Sequence, residues 1–401
     1  MGYSKNMAME CESRGYNTNQ SLVCRYCIGN EHLSHFVLTN GERHKCSFCG
    51  RVANCLTIET LCGEIMEAIN MEYEDANNCM GFDEGEYVGA DTWYTYDLLN
   101  ELNDDMQLER NVIDAVYSNL HDKTWCERDP YGLREHEEHH YLWEAFCDMV
   151  KYKMRYVFFR MPESSNWNKE EAPHKILDHI GKTVFELGLF KTIKKGTSFY
   201  RGRTHIGPDY FSKPDDLSSP PNINASANRM SAVGISVFYS ADNTATVLDE
   251  IVNDSQHYAS VAEFRCLREL IILDLTTIRD IEFPSLFDKK NGQYREQIAF
   301  LYELEKDLTR SIKTESCISE IEYVPTQVFA EYFRFLHQFE GKPVDGIAYR
   351  STENNNGICY VLFFDQKQCL IDSTQPDQQQ LIMIMDSVEH YKLHGHWEQC
   401  S

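Results

Sequence analysis

No stretch of this chain approaches the roughly 18 consecutive apolar residues that a membrane-spanning helix needs. The N-terminal MGYSKNMAMECESRG has no apolar centre of the kind a secretory signal carries, and Asn6 stands where an N-terminal acylation pattern calls for Ser or Thr after Gly2. These absences lead to the expectation of a cytoplasmic protein with no membrane partner. Phosphate-cradling glycine loops are missing too. No GxGxxG follows a strand and no GxxxxGK[ST] occurs, which removes the dinucleotide-fold and P-loop readings. Positive charge is scarce: 38 Lys and Arg stand against 63 Asp and Glu, a formal net charge of −25. Residues 61–150 alone hold twenty-three acidic and four basic side chains. Such a surface repels a phosphate backbone and counts against nucleic acid as a partner. It suits a basic partner, or serves solubility.

Cysteine, by contrast, is plentiful, with fifteen in 401 residues. In a reducing compartment they need a purpose other than disulfides. Four have one. Cys24 and Cys27 form a CxxC knuckle, and Cys46 and Cys49 form a second, with eighteen residues between Cys27 and Cys46. Two such knuckles supply four thiolates to one tetrahedral metal, and zinc is the ion this spacing predicts. With four protein ligands the site is closed to water, so the metal is structural. Cys55 and Cys62 lack paired knuckles and read as core.

The length allows for two or more domains. Residues 1–56 read as the ribbon, and 57–165 as an acidic helical region. Its helices are expected over 57–79, in TYDLLNELN, in ERNVIDAVYSNL, and in the aromatic-rich HHYLWEAFCDMVKYKMRYVFFR at 139–160. The polar, proline-containing stretch 161–173 reads as a linker. From 174 to 375 helices alternate irregularly with strands: TSFYRGRT, GISVFYSA, LRELIILDL, DGIAYRS and GICYVLFF, the last two joined by a TENNNG turn. The fold class expected is α+β, a helical N-terminal domain followed by a mixed-sheet domain. Residues 376–401 read as a tail.

The second half also carries a constellation of residues with one chemistry in common. Arg201 closes a strand in FYRGR, and a guanidinium at a strand end suits bidentate phosphate binding. Tyr239 ends a strand, where its ring can stack on a flat heterocycle. Glu250 lies in the short helix TATVLDEI, and an ionised carboxylate there can stabilise a positive sugar transition state or take a proton. Ser351 closes another strand with a free hydroxyl. Cation, ring, acid and hydroxyl together suit a phosphate-bearing nucleoside with a labile glycosidic bond, a description that NAD fits. Taken singly, each is an ordinary surface charge, core tyrosine, solvated helix face or strand-end cap.

The pieces FYRGR, SSPPNINASANRMSAVGISVFYSADNTATVLDEI and VDGIAYRS resemble the RES domain, a family named for its Arg, Glu and Ser, over about residues 196–365. The double CxxC ribbon and WEAFCDMVKYKMRYVFF resemble the HEPN/RES-like region fused to some of its members. The resemblance implies a fold similar to ADP-ribosyltransferase toxins. It implies an enzyme that cleaves NAD by hydrolysis or phosphorolysis, or transfers ADP-ribose to a protein. It also implies toxin or anti-phage defence roles and an antitoxin or other regulatory protein as partner, and the extra front half is expected to regulate, sense or oligomerise the NAD-acting half. Carried over by motif, Arg201 binds the NAD phosphates, Tyr239 packs on the nicotinamide end, Glu250 polarises the ribose or activates the acceptor, and Ser351 holds the substrate. Arg229 serves substrate binding or loop positioning, with Arg203 and Tyr349 as further candidates. A ribbon and an acidic helical region of about 160 residues set this chain apart from the short toxin form.

Two other readings compete. REHEEHH places Arg134 five or six residues before His139 and His140, the spacing of a HEPN ribonuclease, though among three glutamates that a phosphate would have to approach. A non-catalytic nucleotide- or protein-binding module is the third. Nicotinamide release that depends on Glu250 separates the first reading from both.

Overall fold

The computed structural model describes residues 9–160, 172–252, 257–310, 320–354, 357–369, 378–393 and 397–400. The linker stretch 161–171, residues 355–356 of the TENNNG turn, residue 376 and residue 377 at the start of the expected tail, Gly2 and Asn6 lie outside them. The chain is α+β and divides into two compact units: residues 1–134 with 283–296, and residues 135–282 with 297–401. Among the described residues, no helix is long and apolar enough to cross a membrane.

The first unit opens on a three-stranded antiparallel sheet in which Val52–Thr57 lies between Leu22–Cys24 and Glu42–Lys45. Side-chain caps start some of its helices. Asn30 accepts from the Leu33 amide ahead of Glu31–Asn40, and Thr57 accepts from Thr60 ahead of Ile58–Glu72. The helical pattern expected over 57–79 breaks at Tyr73, because Tyr73–Asp75 pairs as a strand with Thr124–Glu127 before Ala76–Cys79 turns helical again. Leu61, Ile65, Ile69, Leu98, Val112 and Trp125 form the core. The distant segment 283–296 completes it. Leu286 and Phe287 are buried in that core, and Arg295 pairs with Glu72 at 2.8 Å.

The second unit is built on a ten-stranded mixed sheet. In chain order its strands are β1 Phe190–Ile193, β2 Ser198–His205, β3 Phe238–Ala241, β4 Tyr258–Cys266, β5 Leu270–Asp274, β6 Gly346–Arg350, β7 Ile358–Leu362, β8 Leu381–Met383, β9 Glu389–Leu393 and β10 Trp397–Gln399. Across the sheet they run β10-β9-β4-β2-β3-β7-β6-β5-β1, with β8 also on β4, and only β5–β6 is parallel. Five helices matter below: α1 Glu135–Asp148, α2 Ile176–Glu186, α3 Thr244–Glu250, α4 Arg295–Thr309 and α5 Val324–Phe335. Trp143 and Phe146 of α1 are buried with Ile180, Val184, Phe300, Phe329 and Phe333. The aromatic helix expected in the N-terminal region therefore belongs to the core of the second unit. The expected tail is also corrected, since β8, β9 and β10 extend the sheet and Leu381, Met383 and Tyr391 are buried.

One glycine sets how closely α3 approaches the sheet. A Cβ at Gly202 of β2 would lie 2.7 Å from Val247 Cγ1 and 2.9 Å from Ile251 Cδ1. Gly202→Val is expected to push α3 off the sheet, lowering stability by about 1–3 kcal/mol. Thermal unfolding of the variant checks this.

Candidate active site

The sheet opens where the site lies. β2 pairs with β4 along its whole length, from Ser198↔Arg265 to His205↔Tyr258, but meets β3 only at Tyr200↔Ala241. Beyond that pair the two strands part, and α3 covers the opening. It is capped by Asn243, which accepts from the Thr246 amide at 2.9 Å. The resulting cleft has a volume of about 100 Å³ and is lined by Arg201, Tyr239, Val247, Glu250, Tyr349 and Cys359, among others.

Glu250, the last residue of α3, accepts a hydrogen bond on Oε1 from Ser351 Oγ at 2.5 Å. Ser351 is buried, and its oxygen accepts in turn from the amides of Glu353 at 3.2 Å and Asn354 at 3.0 Å. With two donors arriving from the backbone, the hydroxyl proton is directed at the carboxylate. Burial pushes the Cys359 thiol and the Tyr349 phenol well above their ordinary values, and the charge of Glu250 adds to both shifts. The carboxylate therefore has two neutral groups as neighbours.

Arg201 lies in the gap between the strands. Its Nε donates to the carbonyls of Leu217 at 3.0 Å and Ser218 at 3.3 Å, its Nη1 donates to the Tyr239 carbonyl at 2.6 Å, and its guanidinium lies over the Phe238 ring. Arg203 Nη2 donates to the same Ser218 carbonyl at 3.1 Å. Burial, and then repulsion from Arg203, pulls Arg201 down to about 10. Two neighbouring guanidiniums held on backbone carbonyls favour an anion placed between them.

The Tyr239 hydroxyl accepts from the Met230 amide at 3.0 Å and lies 3.2 Å from Ser231 Oγ. Burial raises its phenol to about 12. Arg229 points elsewhere. Its Nη1 donates to the Leu308 and Arg310 carbonyls at the C-terminal end of α4, at 3.0 and 2.9 Å, and it does not line the cleft. The structure thus brings Arg201, Tyr239, Glu250 and Tyr349 to one cleft, with Ser351 bonded to Glu250 and Arg203 beside Arg201. Cys359 was missed by sequence reasoning. Its only sequence signal was its place as the third residue of GICYVLFF, and in the structure it lies opposite Tyr349 across the β6–β7 pair.

The residues of the ribonuclease reading are tied up separately. Arg134 is clasped by both carboxylate oxygens of Glu127. The His139 ring lies 4.7 Å from that of His179, and His140 Nε2 lies 3.6 Å from Glu144. A larger cavity of about 270 Å³ between α1 and α5 is lined by Trp143, Lys151, Asp307 and Glu322, with Lys151 paired to Glu322 at 2.7 Å and none of the candidate residues present.

In the ribbon, Cys24 Sγ lies 3.8 Å from Cys27 and 3.5 Å from Cys49, and Cys27 lies 3.8 Å from Cys46. All four sulfurs fall within 4.8 Å of one another. Tetrahedral metal–sulfur bonds of about 2.3 Å put neighbouring sulfurs about 3.8 Å apart, so the four residues fit one metal ion. The Phe48 amide donates to Cys46 Sγ at 3.4 Å, a bond of the kind that supports a metal-bound thiolate.

Two family models match the chain: HEPN/RES N-terminal domain 1 over residues 39–164 and the RES domain over residues 200–384. No curated protein and no solved structure matches it.

Proposed function

The chain is a RES-domain protein with a HEPN/RES N-terminal domain 1 ahead of it, and we propose that it is an enzyme that breaks the nicotinamide–ribose bond of NAD. The RES family is generally NAD-acting. The observation that carries the specific reaction is the cleft, where a carboxylate oriented by Ser351 shares a wall with Tyr239 and with Arg201, whose Ser218 carbonyl partner is also held by Arg203.

Cleavage of that bond builds positive charge on the ribose while nicotinamide departs as a neutral base. A fixed carboxylate beside the sugar is worth most when that charge is present, which makes Glu250 the group that lowers the barrier. Nicotinamide needs no general acid to leave, and the raised Tyr349 and Cys359 provide none with an ordinary acidity. A cleft of about 100 Å³ holds one ring end of the dinucleotide, not the several hundred Å³ of a whole cofactor site. Tyr239 packs on that ring, and the pyrophosphate lies toward Arg201 and Arg203, where its charge relieves their mutual repulsion. The acceptor of ADP-ribose is water, phosphate or a protein side chain. The chain then acts as a toxin or defence effector that depletes NAD or modifies a target, restrained by a regulatory partner. The ribbon cysteines hold one structural zinc.

Incubation with NAD, with mass spectrometry of the products, tests this. Free nicotinamide together with ADP-ribose, a phosphorylated ADP-ribose or an ADP-ribosylated protein supports it and identifies the acceptor, and intact NAD contradicts it. Ser351→Ala is expected to lower kcat about tenfold to a hundredfold, the effect of losing a hydrogen bond to a charged group, with folding unchanged. Steady-state rates of nicotinamide release check it.

A further inference from the structure

Tyr239 owes its position to a loop, and that loop is held from behind. The turn at 228–231 closes on itself through the Asn228 amide and the Ser231 carbonyl at 2.9 Å. It supplies both polar partners of the Tyr239 hydroxyl, the Met230 amide and Ser231 Oγ. On its far side, Gln327 of α5 donates from Nε2 to the carbonyls of Asn228 at 2.9 Å and Ser231 at 3.2 Å. Thr326 Oγ1 hydrogen-bonds the Arg229 carbonyl, and the Arg229 side chain reaches the end of α4. Gln327 and Thr326 are each 7% exposed. A buried amide on a helix whose neighbours are Phe329, Ala330 and Phe333 gives nothing to apolar packing, where leucine would serve better. Both of its hydrogen bonds go to the loop.

From this geometry we propose that Gln327 is a positioning residue for the NAD cleft, setting the plane of the Tyr239 ring through the 228–231 turn. The inference rests on the reading of the cleft as the NAD site. Tyr239 is where the two sets of contacts meet, since its hydroxyl is held by the turn and its carbonyl takes Arg201 Nη1 at 2.6 Å. Without the amide of Gln327 the turn loses two of its anchors, the hydroxyl loses its fixed partners, and the ring rotates away from the orientation that stacks on nicotinamide. The defect travels through one hydroxyl, so it disappears when that hydroxyl is absent.

A double-mutant cycle tests it. Gln327→Leu and Tyr239→Phe are each expected to lower kcat/KM for NAD about tenfold, mainly through KM, and the double variant to be no worse than either single one. Multiplied losses in the double variant, or full activity in Gln327→Leu, overturn the inference while leaving the NAD reading intact. A second readout needs no turnover. With 3-fluorotyrosine incorporated at the chain's 23 tyrosines, the ¹⁹F resonance missing from Tyr239→Phe is that of Tyr239. Gln327→Met, which keeps the bulk of the side chain, is expected to shift that resonance while retaining the wild-type Tm. An unshifted resonance in a folded Gln327→Met overturns the inference even if NAD proves not to be the substrate.

Discussion

Glu250→Gln is expected to lower the kcat of nicotinamide release about a hundredfold to a thousandfold, with KM for NAD little changed. The amide keeps the size of the carboxylate, and its oxygen still accepts from Ser351 Oγ, which now lies 2.5 Å from Oε1. What disappears is the negative charge, and charge is useful only when the ribose becomes positive. A loss confined to kcat is the signature of an interaction made in the transition state. Glu250 is exposed at the end of a seven-residue helix, so the variant should fold as the wild type does, with an unchanged Tm. A large rise in KM with kcat preserved would mean that Glu250 serves binding alone.

The second large effect is expected in the ribbon. Cys27→Ser should abolish zinc binding and, with it, the cooperative unfolding of the first unit. Cys27 is 3% exposed and its sulfur lies 3.8 Å from those of both Cys24 and Cys46. Structural zinc contributes about 10–16 kcal/mol to the folding of small zinc-finger peptides, comparable with a whole domain's usual margin of about 5–15 kcal/mol. The three strands around the knuckles run from only three to six residues, and Val23, Cys55 and Leu56 tie them to the core of the whole unit, so loss of the metal is transmitted to it. Metal analysis should find one zinc per wild-type chain and none in the variant, and a strong chelator should reproduce the variant's melting curve. A metal-free chain that melts as the wild type does would show the four thiols to be ordinary core residues.

Local chemistry was legible in the sequence, and long-range assembly was not. The CxxC spacing was enough to bring four sulfurs together, because each knuckle is a local turn. The strands that carry Arg201 and Tyr239 and the one that ends before Ser351 were visible as short β-branched and aromatic runs, but Arg201 and Tyr239 lie inside their strands and not at the ends. Arg229 shows where such reading stops. Its motif places it next to the site, but the carbonyls that claim its guanidinium belong to α4, some eighty residues later in the chain. Segment 283–296 gave no sign that Leu286 and Phe287 complete the core of the first unit, since burial across such a distance leaves no periodicity. The aromatic segment 139–160 was read as one helix, whereas α1 ends at Asp148, and an apolar stripe does not name the surface that covers it. At the C-terminus the glutamines masked β8, whose three residues are too few for alternation to stand out.

Free nicotinamide released from NAD by the purified full-length chain is the measurement that tests the account most directly. Wild-type protein, assayed with and without phosphate, is expected to release nicotinamide in step with NAD loss, and Glu250→Gln is expected to be nearly silent. NAD left intact at enzyme concentrations near those of the substrate, or release that continues undiminished in Glu250→Gln, would contradict the assignment of this cleft.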